Sequence, residues 1–442
     1  MSATAVPVAP GNLPLVGHIG RLWRRPIVFL ETLRLSGDVV RVNIGTWPVY
    51  VVTTPQLVNE VLVSHAHDFG RGRVFEKLRP LFGDGLITSD GDFHLSQRRL
   101  VQPAFHREKI ASLSTLMFAQ AEALATSWSP GENVTVNETM RKLALDVIAK
   151  AVFSGELGRT AIDEIHRSLP IIMQGMLGRA VTPKIFDRVP LPANRRFDTA
   201  ARGLKQVIDE IVAQYRSGPN GNDLLSLLLS SAADGGGASM SDSQIRDEAI
   251  AVMFAGIETV GTILAWLFHE LSQNPEVDEL VYSEVREVIG DGEVRISDLG
   301  ELTYTRALIN ETLRLHAALF FTRRTLKDVK LGGYDIPAKS EVAYSPHALH
   351  RDTDLFPDPH RFDPSRWLSA DSSDARRRAF VPFGLGRHRC IGDNFAFVEM
   401  MISVASIVRR WQLKPIPGQV VHEAAAGLPY PRELTLTAIP RA

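Results

Sequence analysis

Residues 249–268, AIAVMFAGIETVGTILAWLF, form a run of 20 residues that is apolar on almost every side of a helix. A bilayer crossing needs about 20 such residues, and the central helix of a large folded core presents the same pattern. The run carries Glu258, Thr259 and Thr262, and two glycines, Gly256 and Gly261. Polar side chains at that depth are expensive in hydrocarbon, and a chain of 442 residues has enough remaining sequence to bury one such helix. The run therefore predicts a core helix, with a large fold assembled around it.

Composition narrows the function classes. Lys+Arg total 49 and Asp+Glu total 50, a net charge of −1, so no bulk basic field is available to hold nucleic acid. The single cysteine, Cys390, excludes an internal disulfide and any multi-cysteine zinc or iron–sulfur site. It suits a reducing compartment and a cytoplasmic location. Residues 1–20 are rich in Pro and Gly and lack a basic stretch followed by a long apolar core. They read as an irregular leader, with neither signal peptide nor membrane anchor expected.

Along the chain, residues 39–44 and 49–53 flank the turn 45–48 and predict a β-hairpin, followed by a helix over 55–63. Gly70, Gly72, Gly83, Gly85 and Gly91, with no clear period between them, predict a long loop over 70–92. From about 92 to 320 most segments read as helices. One covers 222–231 and ends at Gly235–Gly236–Gly237; another opens at Asp242 and runs into the apolar stretch. Residues 331–344 read as a second hairpin and 395–411 as a helix following Cys390. No repeat or linker divides the chain, so a single, mainly α domain with a small β region is expected over 1–442.

The sharpest motif is FGLGRHRCIG, residues 383–392. A thiolate needs cationic or N–H-donating surroundings. Gly386 and Gly392 let backbone approach Cys390, the following helix points its N-terminus at it, and His388 and the arginines add positive charge. Such a thiolate serves as a nucleophile or as an axial metal ligand, whereas a lone cysteine elsewhere is usually a small buried hydrophobe. In the apolar run, Ala255-Gly256-Ile257-Glu258-Thr259 places an acid and an alcohol side by side. A Thr hydroxyl can bond back to the carbonyl four residues earlier and open the helix locally. The plain alternative is a Thr satisfied by its own helix and a Glu paired with an arginine.

Taken together, Phe383, Gly386, His388, Cys390 and Gly392 resemble the haem-binding signature of the cytochrome P-450 superfamily, F-x-x-G-x-[RH]-x-C-x-G. The resemblance extends to the A-G-x-[DE]-T motif at 255–259, with Val260 where many members have a second Thr. It also extends to Glu311-Thr-Leu-Arg314, and to Arg361 in Pro359-His-Arg361-Phe362 as third member of a buried Glu–Arg–Arg triad. It implies the family's triangular prism of helices, haem b with Cys390 as iron ligand, and propionates held by His94, Arg98, Arg323 and His388. It also implies proton delivery through Glu258 and Thr259. Arg324, next in the strand, points the opposite way and is not assigned.

The same resemblance implies a monooxygenase that uses O2 and two external electrons. No Gly-rich dinucleotide motif follows a strand, so a ferredoxin and an NAD(P)H-dependent reductase are the expected donors, with Arg387 and Arg389 able to meet an acidic partner. The expected enzyme is monomeric. Phe82, Leu86, Ile87, Ile171, Ile172, Met173, Met176, Leu177, Met253, Phe254, Ala255, Ala318, Leu319, Phe320, Phe321 and Leu428 are apolar at pocket positions and suggest a lipophilic substrate. LPANRRF (191–197), QPAF (102–105), TRR (322–324) and GGYDIP (332–337) are similar to soluble actinobacterial P450s that oxidise sesquiterpenes. The alternatives are a fatty-acid or macrolide/polyketide hydroxylase, with Arg71, Arg73 or Arg179 as carboxylate partner, and a non-enzymatic haem sensor or lipophile carrier.

Overall fold

The computed structural model describes residues 5–153, 162–172, 175, 189, 191–217, 223–234, 240–368, 374–425 and 427–441. The apolar run lies inside Asp242–Gln273, a helix opened by a capping box in which Ser241 and Gln244 exchange side-chain and backbone bonds. Every residue of 249–268 is buried except Ala255, Gly256, Glu258 and Thr259. Among the described residues this is the one helix long and apolar enough to cross a membrane, and it is packed within the protein. Its glycines set the packing. A Cβ on Gly261 would fall 2.7 Å from the Arg141 Cα, and one on Gly256 would fall 3.1 Å from the Ile148 side chain. The helix Val136–Val152 can therefore lie directly against this face.

The strands are β1 (Val39–Ile44), β2 (Trp47–Val52), β3 (Phe69–Arg71), β4 (Asn133–Thr135), β5 (Phe321–Thr325), β6 (Val329–Leu331), β7 (Tyr334–Ile336), β8 (Glu341–Tyr344), β9 (Trp411–Pro415), β10 (His422–Ala424), β11 (Tyr430–Arg432) and β12 (Thr435–Pro440). The largest sheet runs β1-β2-β8-β5-β3, all antiparallel except the β2–β8 pair. Fewer residues form hairpin 331–344 than expected. Only β6 and β7 pair with each other, around Gly332–Gly333, while β8 leaves to fill the gap between β2 and β5.

Two other expectations need correction. Residues 70–92 are not a long loop: β3 is followed by the helix Arg73–Phe82, and a further helix opens at Gly91. The Phe395 helix is Asp393–Val408, and Trp411 already belongs to β9. The helix at 222–231 is observed as Leu224–Asp234, while Asn222 and Gly235–Gly236–Gly237 lie outside the described residues.

A buried polar knot ties the helix Thr303–Leu315 to the segment before the cysteine loop. Arg314 and Glu311 are both fully buried and joined by two bonds of 2.8 Å. Arg314 also donates to the carbonyls of His350 and Pro359 at 2.8 and 2.7 Å. The third member is Arg366, not Arg361. Arg366 Nε donates to Glu311 at 2.9 Å, as do Trp367 Nε1 and the Asp363 amide. The Arg361 side chain is exposed, and only its carbonyl joins the knot, 3.2 Å from Arg314. The physical reason is the turn Pro364–Trp367, capped by Asp363, which swings Arg366 and Trp367 inward together.

Candidate active site

Cys390 ends a loop shaped by glycine. Gly386 has φ +66°, and a Cβ there would sit 1.9 Å from the Leu62 carbonyl oxygen, so a larger residue cannot take this path. The Cys390 amide donates to the Phe383 carbonyl at 2.9 Å and closes the loop. Gly392 then caps the helix Asp393–Val408. The thiol lies deep in the protein yet keeps accessible surface, as at the floor of a recess. Burial pushes it above its usual pKa, against the Gly392 N–H and the Arg98 and Arg389 guanidiniums.

Beside the recess the fold concentrates cations. The antiparallel pairing of β3 with β5 sets Arg71 directly opposite Arg323. Like charges opposed in a sheet are destabilising on their own. Burial lowers the pKa of Arg71 to about 9, and Arg323 adds to the fall. Burial also lowers Arg323 and Arg98. His388 Nε2 lies 3.3 Å from Asp90 Oδ1, and its ring stands 4.3 Å from that of His94. Burial, with Arg71, Arg323 and His94 nearby, takes His388 down to about 3, so the ring is neutral at physiological pH. Burial would raise Asp90, but the adjacent His388 and bonds from the Gly91 and Arg71 amides hold it well below the usual carboxylate range.

The Arg71 and Arg323 guanidiniums thus share a buried region with one ionised carboxylate, Asp90, with Arg98 half-buried nearby beside Asp393, and neither ring nitrogen of His388 makes a hydrogen bond among the described residues. A surplus of buried positive charge calls for anions. A thiol recess beside it fits haem, whose iron takes a thiolate and whose two carboxylates take guanidiniums. His94 belongs to the same cluster. Its Nδ1 lies 3.3 Å from Ser89 Oγ and its Nε2 lies 3.2 Å from the Arg387 carbonyl, so in this structure it braces His388 and the cysteine loop. Arg98 donates to the Arg389 carbonyl at 2.7 Å, and Arg323 to its neighbour Thr322 at 2.9 Å. Arg324 points away, as expected, and pairs with Glu341 and Glu76.

The long helix carries the acid–alcohol pair. Ala255 and Thr259 are exposed on it, and Thr259 Oγ donates to the Ala255 carbonyl at 2.5 Å. Glu258 reaches Arg141 on the adjacent helix at 3.1 Å. Burial raises its pKa, with Arg141 opposing. Both halves of the plain reading are therefore present, but the Thr hydroxyl and the acid stand together at the only interruption in an otherwise buried run.

Of the apolar pocket candidates, Phe82, Ile87, Ile172, Met253, Phe254 and Leu428 belong to one cluster, with Phe82 and Phe254 edge to face at 5.6 Å. Leu319 departs from them and packs under β1 and β2 with Phe29, Leu30 and Val40. Phe321 packs on Tyr344 at 5.6 Å. Met173, Met176, Leu177 and Arg179 lie outside the described residues. Arg71 and Arg73 have other neighbours in this structure. Arg71 donates to the Leu86 and Ser89 carbonyls at 3.1 and 3.3 Å, and Arg73 lies over the Trp47 ring at 4.6 Å. Of the two arginines expected on the thiolate side, Arg389 is exposed and pairs with Asp393 at 2.7 Å, while Arg387 turns inward to the Ala66 carbonyl.

Sequence reasoning missed Arg71 and Asp90 as members of the cation cluster, and Arg141 as partner of the acid. Nothing local marks them; the pairing of β3 with β5, and of two helices, brings them in.

A profile of the cytochrome P450 family matches residues 7–432. The chain is 40% identical to cyclooctat-9-en-7-ol 5-monooxygenase of Streptomyces melanosporofaciens, covering 93% of this chain and 90% of that protein. It is 34% identical to pentalenene oxygenase of Streptomyces avermitilis, covering 97% and 96%. The crystal structure of the cytochrome P450DA heme domain superposes with a TM-score of 0.87 at 25% identity, over 100% of this chain and 98% of that one. With the profile spanning nearly the whole sequence and the fold shared with a P450 haem domain, this chain belongs to the cytochrome P450 family.

Proposed function

We propose that this P450 monooxygenase oxidises a terpene hydrocarbon or terpene alcohol, in a pocket bounded by the apolar cluster and the Ala255–Thr259 face. The observation that carries this reading is the pair Glu258–Thr259 at the one opening in the otherwise buried run 249–268, one helical turn after Phe254, which meets Phe82 edge to face. The terpene class is taken from relatives named for cyclooctat-9-en-7-ol and pentalenene. When bound, haem supplies O2 activation and oxidation of an unactivated C–H bond. Cys390 is the only thiolate the chain can offer to its iron, and Arg71, Arg98, Arg323 and His388 would hold its carboxylates.

The protein's own part is orientation and proton supply. The apolar walls hold a lipophilic substrate and exclude bulk water. Thr259 Oγ, bonded to the Ala255 carbonyl, holds a proton at the pocket surface. Glu258, raised in pKa and paired with Arg141, takes up a proton from solvent and passes it on to Thr259. Electrons come from a separate ferredoxin and its NAD(P)H-dependent reductase, and the enzyme works in the cytoplasm as a monomer. Arg389 is the exposed cation nearest the thiolate in sequence and suits an acidic donor.

Optical titration of the ferric protein tests the substrate class. Sesquiterpenes, diterpenes or their alcohols are expected to produce a saturable low-spin to high-spin shift. A shift only with fatty acids or macrolides would replace the terpene reading while leaving the monooxygenase. Thr259→Ala is expected to retain haem and the substrate-induced shift but to release hydrogen peroxide in place of most product, a loss of about 10²–10⁴-fold in proton-transfer efficiency. Full coupling of NAD(P)H consumption to product in that variant would remove Thr259 from proton delivery.

A further inference from the structure

Within residues 13–28, Leu22 and Ile27 pack against the core, but six other large apolar side chains turn outward. Leu15 is 83% exposed and Trp23 85%, and Leu13, Val16, Ile19 and Val28 are exposed with them. Contiguous exposed apolar surface on a folded protein marks an interaction site. The display is rigid. Leu13 and Gly17 exchange backbone bonds of 2.8 and 3.1 Å, and the turn between them is anchored by His18, which is buried and bonded to the Ala9 carbonyl and the Asn43 amide at 2.9 Å. At its tip Leu15 has φ +62°, a conformation suited to Gly or Asn and unfavourable for Leu. A strained, exposed leucine serves neither the core nor the turn.

Charge identifies the occupant. Residues 1–30 contain Arg21, Arg24 and Arg25 and no Asp or Glu, in a chain of net charge −1. Among the described residues, these arginines have no ion-pair partner. The next acids are already committed, Glu31 to His347 at 3.2 Å and Arg351 at 3.4 Å, and Asp38 to Arg34. Beside the turn is a groove of about 340 Å³ lined by Leu13, Leu15, Asn43 and Arg41, whose Nε is buried without an acceptor. A second copy of the chain is disfavoured, because self-association would face these arginines with their own equivalents.

We propose that this surface docks on an anionic lipid bilayer. Leu13, Leu15, Val16, Ile19 and Trp23 enter the boundary between headgroups and acyl chains, and Arg21, Arg24 and Arg25 lie at the phosphates. This is contact in the interfacial plane, without a span. It is independent of the terpene reading.

Co-sedimentation of the haem-loaded full chain with phosphatidylcholine vesicles, with and without phosphatidylglycerol, tests it. Binding is expected only with phosphatidylglycerol and is expected to weaken as salt rises. Leu15→Asn, which suits the left-handed backbone but removes the apolar tip, is expected to lower partitioning about tenfold. Arg24→Glu with Arg25→Glu is expected to lower it by at least about fivefold per residue. An unchanged carbon monoxide spectrum in all variants controls for folding. Failure to sediment, equal binding to both vesicle types, or wild-type binding by Leu15→Asn overturns the proposal. So does a dimer, without vesicle binding, that Leu15→Asn dissolves.

Discussion

Cys390→Ser abolishes the thiolate-type absorbance of the reduced carbon monoxide complex. Serine fills nearly the same volume, and the loop is held by the Cys390 amide on the Phe383 carbonyl and by the glycine at 386, none of which the substitution touches. What changes is the atom presented at the floor of the recess. An alcohol does not ionise at neutral pH, whereas a thiol, even one raised by burial, gives up its proton to a metal. Because Cys390 is the only cysteine, no other thiol can take its place. The expected effect is complete loss of the band, read in a difference spectrum, with far-ultraviolet circular dichroism unchanged. A variant that kept the band would remove Cys390 from the iron.

The second large effect falls on stability. Glu311→Ala leaves the fully buried Arg314 guanidinium without its counter-charge and strips an acceptor from Arg366 Nε, Trp367 Nε1 and the Asp363 amide. Removing one partner of a buried ion pair costs about 3–5 kcal/mol, a large share of the roughly 5–15 kcal/mol that holds a typical fold together. Urea denaturation followed by haem absorbance is expected to show a greatly lowered midpoint, or no folded protein. Arg366→Ala is expected to cost about 1–3 kcal/mol through the acceptor it leaves unmade. Arg361→Ala, on an exposed side chain, is expected to stay within about 0.5 kcal/mol. If Arg361→Ala proved the more damaging of the two, the assignment of Arg366 to the knot would be wrong.

The contrast between Arg361 and Arg366 shows where sequence reading stops. Both arginines stand in a Pro-, Asp- and Arg-rich stretch without period, and a short motif match selected the nearer one. The choice depends on the turn Pro364–Trp367, whose capping by Asp363 decides which side chain faces inward. The segment 70–92 failed for a related reason. Its glycines suggested a loop, but a three-residue strand and a ten-residue helix fit between them because β5 and the long helix provide surfaces to pack on.

Local chemistry was legible where it is carried by neighbours in the chain. Phe383, Gly386, His388, Cys390 and Gly392 lie within ten residues, and their spacing alone specifies a close-packed thiolate loop. The run 249–268 announced a buried helix by hydropathy, and its four unburied residues include the acid and alcohol that sequence picked out. Tertiary structure decided everything that depends on pairing distant segments. It set Arg71 against Arg323 across two strands, gave Asp90 to His388, brought Arg141 to Glu258, and turned Arg387 inward while leaving Arg389 out. The physical reason is that hydrophobic periodicity and short motifs are local properties, whereas the electrostatics of a buried site depend on which charges share a low-dielectric space, and only the completed packing determines that.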